Sequence, residues 1–171
     1  MEVETVLGTL DARCTPPGVD AAKECKHLIL WLSLAAGFSL GTVIRYLNAR
    51  ADLFETVAGV RMLREGAVIA DFHLLTGISF QGFVLLIPAI LGLAVFHYAY
   101  YRRESMSIYL MKRLPDPAER HRRALTLPLL AIAATVLLAA WMRVIYFALY
   151  LWATPKICLP DEVWQQLWRL F

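Results

Sequence analysis

One arginine inside an apolar stretch is the residue of this chain best suited to chemistry. Arg143 follows Ala139 by four residues, within the last of three long apolar stretches. A guanidinium there can bind an anionic group of a substrate or pair with a buried acid. A charge at mid-membrane depth costs at least about 2.5 kcal/mol on insertion scales, and less if the side chain reaches the surface. The sequence leaves both a binding role and a simple reach to the outer surface open.

Patterns typical of catalysis are missing from the sequence. It has no GxSxG, no HExxH and no GxxxxGK[ST] phosphate loop. Its cysteines have no CxxC spacing, and Asp71 and His73 have no evident third ligand. We therefore expect no catalytic residue, metal or cofactor, and any ATP hydrolysis would belong to another subunit. His97, in the second apolar stretch, is expected to pack through a hydrogen bond.

The composition predicts an all-α, polytopic membrane protein. Of the 171 residues, 59% are hydrophobic and 18% are charged, and the net charge is only +3. Aromatic residues do not alternate with basic ones, which argues against nucleic-acid binding. The three predicted transmembrane helices are long enough to cross about 30 Å of hydrocarbon. They are Leu28–Leu47, Ile78–Tyr101 and Leu127–Ala153.

Clustered basic residues predict the orientation. The stretch Arg102–Arg123 holds seven of the seventeen lysines and arginines, which predicts a cytoplasmic loop over 102–126. The N-terminal segment 1–27 is then cytoplasmic, and the loop 48–77 and the tail 154–171 are extracytoplasmic. We expect the protein in a bacterial cytoplasmic membrane.

Small residues recur at every fourth position in two of the spans. Such ladders let helix backbones approach closely. They are expected either to pack within the chain or to form a subunit interface in a homo- or hetero-oligomer, with Arg143 continuing the second ladder. Their members are Ser33, Gly37 and Gly41, and then Ala131, Thr135 and Ala139.

Two outer segments have apolar residues at helical spacing, which predicts interfacial amphipathic helices or packing against the other helices. The first contains Leu53, Phe54, Val57 and Val60, and the second contains Val163, Trp164, Leu167, Trp168 and Phe171.

The basic loop has more structure than a topology signal needs. Met106, Tyr109, Leu110 and Leu114 share one helical face, and Arg103, Ser107, Lys112 and Arg113 occupy the rest. Leu114-Pro115 would end this short helix, and a new helix would begin at Asp116-Pro117. An apolar face beside a sharp turn is typical of a docking helix.

The same stretch resembles the segment after the second span in membrane subunits of ABC-2 type transporters. The resemblance rests on Glu104, then Ser105 and Ser107, a Leu-rich turn over 108–111, Leu114-Pro115 and Arg120. It implies a coupling helix that docks on an ATP-binding ABC subunit. The implied interface consists of Glu104, Met106, Tyr109, Leu110, Arg113, Leu114, Pro115 and Arg120.

The number of spans departs from the family's pattern. Its domains typically have six spans, and this chain shows three, which match the first half only. We therefore expect a permease-like subunit of an ABC-type exporter that pairs with another chain or has an accessory role. The alternative is a non-transporting membrane scaffold or interaction subunit that binds partner helices and anionic lipids.

Overall fold

The computed structural model describes residues 20–57, 59–103, 117–160 and 163–166. These residues are mostly helical, with one two-stranded hairpin. Three helical segments are long and apolar enough to cross a membrane, namely Ala22–Ala51, Gln81–Ala99 and Leu125–Ala153. The prediction of three spanning helices is confirmed, and they indicate an integral membrane protein.

The first span consists of two consecutive helices, α1 (Ala21–Ser39) and α2 (Gly41–Ala51). Leu40 between them keeps helical backbone angles, φ −61° and ψ −19°. The helix begins before the apolar stretch because the Asp20 carboxylate caps it, accepting the backbone N–H of Lys23 at 3.2 Å. This hydrogen bond lowers the pKa of Asp20 below its ordinary value. The helical segment therefore starts earlier and ends later than the predicted span.

A hairpin follows the first span. Strands β1 (Phe54–Val57) and β2 (Val60–Leu63) pair antiparallel, with Phe54 opposite Leu63. Gly59 in the turn has φ +82°, a conformation that favours glycine. The predicted interfacial helix through Leu53, Phe54, Val57 and Val60 is therefore wrong, because this turn closes the chain into strands.

A short helix, α3 (Phe72–Thr76), precedes the second span, α4 (Gln81–Arg103). The third span, α5, covers Pro117–Ala153 and has 37 residues, about 55 Å of helix. Asp116, the predicted cap of this helix, lies outside the described residues. Residues 117–126 of the predicted cytoplasmic loop 102–126 are thus helical, and the apolar span itself begins at Leu125.

The segment that follows α5 contacts the loop before α3. After a 3-10 turn at Lys156–Cys158, a four-residue helix, α6, covers Val163–Gln166. The backbone N–H of Ile69 donates to the carbonyl of Cys158 at 3.0 Å. In α6, Val163 is buried and Trp164 is exposed. Leu167, Trp168 and Phe171 of the predicted interfacial helix lie outside the described residues.

The chain divides into two compact units. The first contains residues up to Ser33 together with Val84–Leu137, and the second contains Leu34–Phe83 together with the residues from Leu138 onward. The buried aromatic side chains of the described residues belong to the second unit. They are Tyr46, Phe72, Phe80, Phe83, Tyr146, Phe147 and Tyr150.

Candidate functional site

The second unit buries the arginine that the sequence singles out. Arg143, on α5, is 6% exposed, and its guanidinium carbon lies 5.3 Å from the centre of the Phe72 ring. A cation over an aromatic face is stabilised by the ring quadrupole, by about 2 kcal/mol where water is excluded. The side chain is packed against protein, and a reach to the membrane surface stays a prediction. Its contact with an anionic substrate group stays a prediction.

Phe72 belongs to a cluster of aromatic rings. The rings of Phe147 and Tyr150 lie 5.1 Å and 5.6 Å from it, and Trp164 lies 5.8 Å from Phe147. Edge-on and tilted arrangements at these separations are favourable. The cluster joins α3, α5 and α6, and it fixes the ring on which Arg143 rests.

Hydrogen bonds hold three tyrosine hydroxyls of the same unit. Each bond joins segments far apart in the sequence, so the bonds connect the first and third spans and the loop before α3. Tyr146 bonds Ser39 at 2.9 Å, Tyr46 bonds Thr154 at 3.1 Å, and Tyr150 donates to the carbonyl of Ala70 at 3.2 Å. Buried phenols that are satisfied in this way stabilise one arrangement of the helices.

Little space remains inside this core. The cavity between Thr42, Tyr46, Leu75, Tyr146 and Tyr150 has a volume of about 10 Å³. A cavity needs roughly 10–15 Å³ to hold one water molecule. The described residues therefore leave no room for a solute at this point of the second unit.

The first unit contains a buried pair of ionisable side chains. His97 Nε2, on α4, lies 2.7 Å from Glu24 Oε1, on α1, and the imidazole is fully buried. The Glu24 side chain is 15% exposed, and its Oε2 is buried with no hydrogen-bond partner among the described residues. The hydrogen bond expected for His97 is present, but its partner was not foreseen. The sequence does contain a signal for this pair, since Glu24 and His97 both lie near the predicted cytoplasmic ends of their helices.

The two small-residue ladders behave differently. Ala131 and Thr135 are buried, and the Thr135 hydroxyl donates to the Ala131 carbonyl at 2.7 Å, so the α5 ladder is a packing face within the chain. Ala139 is half-buried.

Of the three ladder residues on the first span, only Gly41 packs closely within the chain. A Cβ atom there would lie 3.2 Å from the Ser79 hydroxyl. Ser33 and Gly37 are exposed, and a Cβ atom at Gly37 would meet nothing within 4 Å. The buried residues of this span lie elsewhere on the helix, at Ala35, Ser39, Thr42 and Tyr46. For Ser33 and Gly37, a subunit interface stays a prediction.

Most residues of the predicted coupling interface lie outside the described residues. They are Glu104, Met106, Tyr109, Leu110, Arg113, Leu114 and Pro115. Arg120 lies in the first turn of α5. The structure brings the helices on both sides of this segment into the first unit.

Asp71 and His73 approach each other to 4.0 Å between Oδ2 and Nδ1. In the described part of the chain, no group of three possible ligands surrounds a metal position.

Comparison of the chain with protein-family models, with curated proteins and with solved structures finds no match.

Proposed function

We propose that the chain is a permease-like membrane subunit of an ABC-type exporter, driven by a separate ATP-binding subunit that docks on residues 102–123. The observation that carries this proposal is the helical structure on both sides of the docking segment. The apolar span of α4 ends at Ala99 and that of α5 begins at Leu125, yet α4 continues to Arg103 and α5 starts at Pro117. The segment between them is thus held on helical extensions of about 6 Å and 12 Å.

Such extensions support mechanical coupling. A displacement of residues 104–116 is passed directly to two spans, because a helix is stiff along its axis. The Glu24–His97 hydrogen bond connects α4 to α1 in the same unit, so the first span would follow the second. This arrangement suits a subunit that responds to ATP binding in a partner.

Transport would also require a second membrane chain. In the most apolar stretch of each span, no more than 22% of the residues are buried, so most of the lateral surface is left for lipid or for partner helices. The core between α2 and α5 has no space for a solute at the cavity described above. A path for substrate would therefore form between this chain and its partner.

Photo-crosslinking tests the docking segment. A crosslinking amino acid at Leu110 is expected to capture a protein with a phosphate-loop ATPase sequence in native membranes. Leu110→Asp places a charge on the predicted apolar face and is expected to abolish co-purification of that ATPase. Ile108→Asp makes the same charge change on the other side of the predicted helix, about 160° around its axis from Leu110, and it is expected to leave co-purification intact. Equal effects of the two variants, or capture of no ATPase, would contradict the proposal.

A non-transporting scaffold is the second candidate, and the tightly filled core of the second unit favours it. Its helices would pack against partner spans, and its basic loop would bind anionic headgroups. Binding of the purified protein to vesicles with anionic lipid is then expected to weaken strongly between 50 mM and 500 mM salt, with no ATPase bound to residues 104–116.

A further inference from the structure

An open cavity lies beside the end of the first span, within the second unit. Its volume is about 550 Å³, which is within the range of roughly 300–1,000 Å³ common for small-ligand sites. One side of it is formed by the end of α2, and the other side is formed by residues 64–70, which follow β2. The lining residues are Ala49, Asp52, Leu53, Arg64, Glu65, Gly66, Ala67, Val68 and Ala70.

Three charged side chains line this cavity. Asp52, Arg64 and Glu65 are exposed, and none of them forms an ion pair with a described residue. Two carboxylates and one guanidinium suit a ligand that carries a positive and a negative group together. The C-terminal end of α2 adds partial negative charge on the same side, which favours the ligand's cation.

Backbone hydrogen bonds hold the charged residues in place. The N–H of Arg64 donates to the carbonyl of Leu53 at 3.0 Å, and the N–H of Ala67 donates to the carbonyl of Arg64 at 3.2 Å. Gly66 turns the chain between them with φ +71°. Leu53 is 3% exposed and forms an apolar floor. These backbone contacts around Leu53 fix the shape of the cavity wall.

The cavity lies beside the end of the first candidate span. The first candidate span ends at Ala51, and Ala49 and Asp52 on either side of that end line the cavity. A ligand there has its charged part at the depth of the phospholipid headgroups. Exposed Val68 offers an apolar contact next to the charges.

We propose that this cavity binds the headgroup of a phospholipid with a primary ammonium group, of the ethanolamine type. Asp52 and Glu65 accept hydrogen bonds from the ammonium, and Arg64 donates to the phosphate. A choline headgroup fits less well, because its trimethylated nitrogen donates no hydrogen bond and is usually bound by aromatic rings. The lining residues include no aromatic side chain. This site does not depend on the function proposed above.

Lipid retention measured by native mass spectrometry tests the site. The delipidated full-length protein is given equal amounts of phosphatidylethanolamine, phosphatidylcholine and phosphatidylglycerol in mixed micelles. We expect preferential retention of phosphatidylethanolamine. The double variant Asp52→Asn/Glu65→Gln is expected to lose this preference by about tenfold or more, whereas Arg64→Gln is expected to lower the retention of all three lipids, because each carries the phosphate.

Glu55→Gln and Arg61→Gln are matched controls, since both residues lie on the same hairpin and neither lines the cavity. They are expected to keep the preference, and thermal unfolding checks that every variant folds. Equal retention of the three lipids would overturn the proposal, and so would an equal loss in cavity and control variants. Binding of free phosphoethanolamine as tight as that of the lipid would also overturn it, because the ligand would then be a soluble solute.

Discussion

Replacing Glu24 with leucine removes the carboxylate that His97 contacts inside the first unit. The two groups are 2.7 Å apart, and the imidazole is completely shielded from solvent. His97→Phe is the reciprocal change, since it leaves the Glu24 carboxylate without its ring partner. Each variant replaces the polar side chain by an apolar one of similar size. The loss of the polar contact therefore dominates the effect on stability.

The expected magnitude follows from the burial of the pair. A hydrogen bond to a charged group contributes about 1.5–3 kcal/mol, and a buried polar group without its partner costs about 1–3 kcal/mol. Each single variant is therefore expected to lower the free energy of unfolding by about 2–4 kcal/mol. The double variant removes both groups, and its loss is expected to be smaller than the sum of the two by about 1.5–3 kcal/mol.

Unfolding by sodium dodecyl sulfate in mixed micelles, followed by tryptophan fluorescence, gives the four free energies of this cycle. Lys23→Gln is the control, because Lys23 is on the same helix and its side chain is 77% exposed. We expect this variant to unfold like the unmodified protein. Losses of Glu24→Leu and His97→Phe that add to within about 0.5 kcal/mol would refute the coupling inferred from the distance.

Three other contacts give narrower tests. Gly82→Leu is expected to lower stability by about 1–3 kcal/mol, because a Cβ there already lies 3.4 Å from the backbone of α1. Gly37→Leu, with nothing within 4 Å, is expected not to lower it, and equal thermal shifts for the two would contradict this packing. Tyr46→Phe is expected to cost about 1 kcal/mol in the same assay, and no loss would mean that its hydroxyl bond contributes nothing. The folded pKa of Asp20 is lowered, so its capping is complete above the unfolded pKa of about 3.9 and is lost as pH falls through the folded value. Amide exchange in the first turn of α1, corrected for its intrinsic pH dependence, is expected to show this loss, and an Asp20→Asn variant is expected not to.

The spans were predictable from the sequence, and their ends were less so. Hydropathy detects the apolar part of a helix, but α5 continues through "PAERHRRA", whose alanine, glutamate and arginine residues favour helix in water as well. The sequence predicted that Arg143 lies on a packing face, because it continues the Ala131 ladder. It did not predict which residue the guanidinium contacts. The Phe72 ring beneath it lies 71 positions earlier, and nothing local connects the two.

The sequence of the hairpin contains signals for both helix and strand. Phe54, Val57 and Val60 fit a helical spacing, yet valines on both sides of a glycine turn also fit two strands. The turn prevailed because Gly59 takes a positive φ without strain. The Glu24–His97 contact joins residues 73 positions apart, and spacing along one helix carries no information about such a pair.

The position of Arg143 also bears on how the chain is made. Phe72 leaves the ribosome before Arg143, so the ring that will receive the guanidinium is synthesised before the last span is inserted. The most apolar 18-residue stretch of that span has a mean hydropathy of 2.1, and its leucines, valines and isoleucines can offset the roughly 2.5–3.5 kcal/mol that one arginine costs the insertion machinery. Entry into the bilayer and docking of the charge on Phe72 are then separate steps in biosynthesis, and a Phe72→Ala chain is expected to insert α5 normally but to leave its arginine without the aromatic contact.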